Sequence, residues 1–169
     1  MLLAAAVALL GRAARARIAR HWPLLLLPLA AFLLAFAEPN GWPFGTEGFF
    51  ATLRSPAVLL HRAATGLVLA LALFEWRVQA GGLGATRWRY AFPILCFVGG
   101  ALLLTHSHSV LAARWAFLIE VSHDAIGLLA VLMGVSRWLE LRSGHERRAL
   151  AWPALMALVG LVLLFYRET

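Results

Sequence analysis

Six ionisable residues fall within three apolar stretches of this 169-residue chain. They are His61 in Pro56-Ala-Val-Leu-Leu-His61, His106 and His108 in Leu104-Thr-His-Ser-His108, and Glu120, His123 and Asp124 in Glu120-Val-Ser-His-Asp124. Imidazole and carboxylate in apolar surroundings need a partner, water or a bound ion. Glu120 and His123 stand at i and i+3 and share a helix face, with Asp124 beside them at i+4. An E-x-x-H pair is how helix bundles present one carboxylate and one imidazole to an internal metal. His106-x-His108 is not one-faced on a helix and suits a frayed helix end, where both rings can turn toward one ion. Donors of this kind suit copper, zinc, iron or nickel without choosing among them. His61, His106, His108, Glu120, His123 and Asp124 are therefore the candidate metal ligands. His61 and His123 also fit a second chemistry, as axial ligands of a b-type haem held between two helices. The structural alternative is that the histidines are hydrogen-bonded core or interface groups and that the carboxylates pair with Arg62 or Arg114.

Such residues need elements to hold them, and the composition says which. The chain is 62% hydrophobic, with a mean hydropathy of +0.81, too apolar for the surface of a soluble domain this size. The sequence predicts an all-α integral membrane protein, a bundle of about five transmembrane helices preceded by a short apolar helix. Candidate spans are about 22–38, 56–76, 89–106, 113–138 and 150–166, each near the roughly 20 residues a crossing needs. Helices are expected because a span must satisfy its own backbone hydrogen bonds. Residues 1–20 form a separate apolar and arginine-rich segment, either an interfacial helix or the tail of a truncated one, and 21–169 a single membrane domain. Trp22, Trp76, Trp88, Trp115, Trp138 and Trp152 fall near span boundaries, as an aromatic belt would place them. Pro23, Pro56, Pro93 and Pro153 sit where first helical turns are expected.

The net charge of +7 is carried by arginine alone. Eleven arginines (12, 15, 17, 20, 77, 87, 89, 137, 142, 147 and 148) fall on one predicted side and four (54, 62, 114 and 167) on the other. The positive-inside rule makes the first side cytoplasmic, which leaves the carboxyl terminus and loop 39–55 extracytoplasmic. All six candidate ligands then open toward the outer side, with His123 roughly 12 Å below the boundary at about 1.5 Å per residue. His21 and His145 read as solvated groups on the inner side. Glu75-Trp-Arg77 and Arg137-Trp-Leu-Glu140-Leu-Arg142 predict an ion-pair belt between the second and fourth spans, its stems snorkelling to water. Gly127, Ala130 and Gly134, with Gly99 and Gly100, predict close helix packing. Met133 and the lone Cys96 read as core residues. One cysteine excludes an intramolecular disulfide and any cysteine metal motif. Nothing suggests nucleic-acid binding. Hydrolase motifs are absent and no enzymatic activity is expected.

Taken together, Leu103-Leu-Thr-His106-Ser-His108, Glu120-x-x-His123 and Arg137-Trp-Leu-Glu-Leu-Arg142 resemble the carboxyl-terminal membrane part of bacterial copper resistance D proteins. His61-Arg62, Phe74-Glu-Trp-Arg77 and Phe165-Tyr-Arg-Glu168 fit the same pattern, and the resemblance covers about residues 22–168. It implies a multi-pass protein of the bacterial inner membrane that captures copper at a periplasm-facing site for transport or delivery. His106, His108, Glu120 and His123 would be ligands, and His61 a further one. A periplasmic copper carrier is an implied partner. Members of that family are usually longer, so a homo-oligomer or a larger membrane complex would supply the remainder. A b-type haem electron-transfer protein and an accessory structural subunit are the alternative functions.

Overall fold

The computed structural model describes residues 1–14, 17–38, 40–105, 113–143 and 150–165. Among these the chain is helical, with no strand. The helices are α1 (Leu2–Ala14), α2 (Leu27–Phe36), α3 (Phe49–Thr52), α4 (Pro56–Gln79), α5 (Ala91–Thr105), α6 (Ala113–Ser143) and α7 (Ala151–Phe165), with 3-10 segments at Arg17–Leu26 and Arg87–Tyr90. The expected all-α membrane bundle is therefore what the chain forms. Four stretches are long and apolar enough to cross a membrane: Ala19–Phe36, Val58–Gln79, Arg87–Thr105 and Ile119–Ser143. α7, the fifth expected span, is 15 residues long as described, short of the roughly 20 that a crossing takes.

Local chemistry explains the departures. Pro56 opens α4 as expected, because a residue without an N–H does no harm at the first helical position. Pro23 instead lies inside the 3-10 segment. It cannot donate to a carbonyl four residues back, and the tighter winding lasts until Leu27. α1 is packed rather than peripheral. It lies against α7 and the Arg17–Leu26 segment, with Ala4, Ala5 and Ala8 buried.

The tightest packing joins α5 to α6, and small residues cause it. A Cβ added at Gly100 would lie 2.8 Å from the Gly127 carbonyl oxygen, and one at Gly134 would lie 3.0 Å from the Pro93 carbonyl oxygen. Backbone cannot yield at those distances without moving the helix, so the predicted glycine contact is realised. Gly100→Ala is expected to cost on the order of 1 kcal/mol and to lower the thermal midpoint of the detergent-solubilised protein. Gly66→Ala on α4 would meet open space and is the matched control.

The aromatic belt is realised only in part. Trp88 and Trp138 are exposed at 48% and 38%, whereas Trp22 and Trp152 are buried at 3% and 0%. These two pack on each other and on Phe92, with ring centroids 5.1–6.3 Å apart. They belong to the bundle core because α1 and α7 enclose them. Position in sequence near a span boundary does not say which way a ring turns.

Candidate functional site

α6 carries a stripe spaced alternately by four and three residues: His123, Gly127, Gly134 and Arg137 are buried and Ala130 is half-buried. That spacing follows one face of a helix. The glycines bring α5 against it, and an ionisable residue closes it at each end.

At the histidine end, His123 is 8% exposed. Its Nδ1–H donates to the Ile119 carbonyl at 2.8 Å. His61, near the start of α4, donates from Nδ1 to Glu38 Oε1. A neutral imidazole that donates from Nδ1 carries its lone pair on Nε2. An oxygen on the other ring nitrogen is also how ligating histidines are oriented and made more basic. Glu38 sits just after α2, and the segment that follows is tied down over α4. The Arg62 guanidinium donates to the carbonyls of Leu34 and Trp42. Thr52 Oγ1 accepts from the Trp42 N–H at 3.1 Å and donates to the Gly48 carbonyl at 3.0 Å. Arg62 is thus spent on main-chain carbonyls, a partner the sequence reading had not given it.

His61 and His123 line one cavity of about 180 Å³ between α4, α5, α6 and α7. The rest of its wall is mostly leucine, valine and alanine, with Phe92, Cys96, Met133 and Met156 toward the other end. The remaining sequence candidates are placed differently. Glu120 and Asp124 are exposed on α6. Glu120 stands about 60° round the helix from His123, enough to turn it out of the buried stripe. His106, His108 and His145 lie outside the described residues. Among the described residues no three His, Cys, Asp or Glu side chains gather to hold one metal ion.

At the opposite end of the stripe the expected ion-pair belt forms, but inside the bundle rather than at water. Arg137 is 4% exposed and Glu75 is fully buried. Arg137 donates to Glu75 Oε1 and to Glu140 Oε2, each at 2.8 Å. Trp152 Nε1 donates to the same Glu140 oxygen at 2.7 Å. Gln79 donates to Glu75 Oε1 at 2.6 Å. The guanidinium also stands 5.5 Å from the Trp152 ring centroid, a cation–π distance. The Trp22–Phe92–Trp152 cluster joins this network, and Phe92 is both part of that cluster and part of the cavity wall. His21 is exposed as expected, yet it accepts from Trp76 Nε1 at 2.9 Å and so ties the first span to α4.

Two structural features escaped the sequence reading. Glu38 was not singled out, although it is the first carboxylate of the chain and follows the apolar run of the first span. The joint placement of Cys96, Met133 and Met156 was also missed, because they lie on three helices and no linear motif relates them. Comparison with known proteins found no matching family model, no matching curated protein and no matching solved structure.

Proposed function

We propose that this chain handles copper in a bacterial inner membrane, taking the ion from the extracytoplasmic side for transport or delivery. One observation carries the reading. Two imidazoles from separate helices line a common cavity, and each has Nδ1 held by an oxygen. Paired, oriented imidazoles are good donors for copper. The resemblance of the His106-Ser-His108, Glu120-x-x-His123 and Arg137–Arg142 segments to copper resistance D proteins supports copper over other metals. In this reading His106 and His108 receive the ion at the surface, with Glu120 and Asp124 drawing cations to the mouth. His123 and His61 then seat it. The eleven-to-four arginine asymmetry supports an outward-facing mouth and an extracytoplasmic carboxyl terminus. A periplasmic copper carrier would be the donor or acceptor at that mouth, and further membrane subunits or a second copy would complete the assembly.

The b-type haem reading has the same two histidines in its favour. Volume weighs against it. The cavity holds about 180 Å³, below the roughly 300–1,000 Å³ of pockets that enclose drug-sized molecules, and a haem is larger than most of those. An ion fits without remodelling the bundle.

The test is an optical spectrum with copper analysis of the detergent-purified protein, before and after copper loading. About one Cu(II) per chain after aerobic loading and no Soret band are expected, with that Cu(II) lost in a folded His61→Ala/His123→Ala variant. Cu(II) retained at full stoichiometry by that variant would refute the site. A Soret band that disappears with either histidine would establish the haem alternative, and neither signal would leave a structural subunit as the reading.

A further inference from the structure

The chain holds three methionines and one cysteine, and all four line the cavity that His61 and His123 line. Sulfur occurs nowhere else in the molecule. Cys96 comes from α5, Met133 from α6 and Met156 from α7, and they are 3%, 5% and 1% exposed within one buried cluster. Cys96 lies against α6 at Gly134, the residue after Met133. A Cβ placed on that glycine would be 3.1 Å from the Cys96 Cβ. Methionine and cysteine usually serve as gap fillers in cores, but here they border open space rather than fill it. Along α6 Met133 is ten residues from His123, about 15 Å toward the arginine-rich end. One turn further stands Arg137.

Resting on the copper reading above, we infer that the deeper half of this cavity is a second station, at which Cys96, Met133 and Met156 take copper as Cu(I). Thioether and thiol sulfur are soft donors that select Cu(I), whereas hard divalent ions prefer oxygen and water. The remaining wall is hydrocarbon. A monovalent ion with neutral sulfur ligands is the copper species that loses least on leaving water for such surroundings. The imidazole pair is then the outer station and the sulfur group the inner one. The apolar cavity wall between the two stations becomes a path for Cu(I) down to the Glu75–Arg137–Glu140 layer.

The experiment is copper K-edge X-ray absorption on the full chain in detergent, loaded anaerobically with Cu(I) alone. The set comprises the wild type, Cys96→Ser/Met133→Leu/Met156→Leu, and His61→Ala/His123→Ala. Leucine nearly conserves methionine volume, which favours folding of the sulfur variant. Sulfur and nitrogen scatterers are both expected in the wild type. The sulfur variant should lose the sulfur shell, with its Cu(I) affinity falling by at least the roughly tenfold that removal of even an outer-sphere partner produces. The histidine variant should keep the sulfur shell. Only nitrogen or oxygen around wild-type copper would overturn the inner station while leaving the histidine site standing. Sulfur around copper with no nitrogen would do the reverse. No bound Cu(I) at all would overturn both. If the triple variant does not fold, Met133→Leu and Met156→Leu singly should each reduce the sulfur shell, and an unchanged shell in both would refute the assignment.

Discussion

Replacing Arg137 with alanine is expected to destabilise the protein by about 3–5 kcal/mol, the cost of leaving a buried ion without its partner. The guanidinium joins Glu75 on α4 to Glu140 on its own helix, both at 2.8 Å, with Glu75 fully buried. Glu75, fully buried, gains no alternative from solvent when the guanidinium is removed. Arg137→Lys keeps the charge but loses the fork that reaches two carboxylates at once, and an intermediate loss is expected. Glu75→Gln/Arg137→Met/Glu140→Gln removes all three charges and should recover much of the stability, since a buried ion network is often worth no more than its apolar replacement. The measurement is unfolding of the detergent-solubilised protein followed by tryptophan fluorescence, because Trp152 and Trp22 sit beside the network. Equal stability of Arg137→Ala and wild type would show that the network contributes nothing to the fold.

The second large effect concerns Glu38. Its carboxylate holds His61 Nδ1, and partners of that kind typically affect metal affinity by about 10–100-fold. Glu38→Ala is expected to weaken copper binding at the histidine pair by that factor while the helices stay intact. Glu38→Gln offers a neutral acceptor and should fall between. Competition against a chromophoric copper chelator reads the affinity directly. His61→Ala/Glu38→Ala should be no weaker than His61→Ala, because Glu38 acts only through that ring. A full additive loss in the double variant would mean that Glu38 contributes to copper independently of His61.

The fold was legible because its causes are local. Apolar runs of about the right length, arginine-rich connections and helix-starting prolines such as Pro56 each act over a few residues. The glycine contact between α5 and α6 was legible for the same reason, as Gly127 and Gly134 lie one helical face apart. The site was less so. His61 and His123 line one cavity. Glu120 and Asp124, placed with them by spacing, are exposed on α6. Spacing alone gave a shared face for Glu120 and His123, but the helix buries a stripe too narrow to include both. Glu38 was invisible because its contact depends on how residues after α2 fold back over α4, a tertiary path with no sequence period. An ion-pair belt between the second and fourth spans was expected, and Glu75, Arg137 and Glu140 form it. Their burial was not expected, since whether a stem snorkels depends on what covers it, and here α7 brings Trp152 over the guanidinium.

The layer formed by Arg137, its carboxylates and the Trp22–Phe92–Trp152 rings stands between the cavity and the arginine-rich end, and it ties α4 to α6 and α6 to α7 through charged hydrogen bonds. Parting α4 from α6 there breaks the Glu75–Arg137 pair, and parting α7 from α6 breaks the Trp152–Glu140 hydrogen bond. Under the copper reading proposed above, an ion in the cavity would exchange with the side where His61 and His123 stand, and its occupancy would follow the free metal there. The molecule would then act as a buffer that sets a concentration rather than as a conductor of flux.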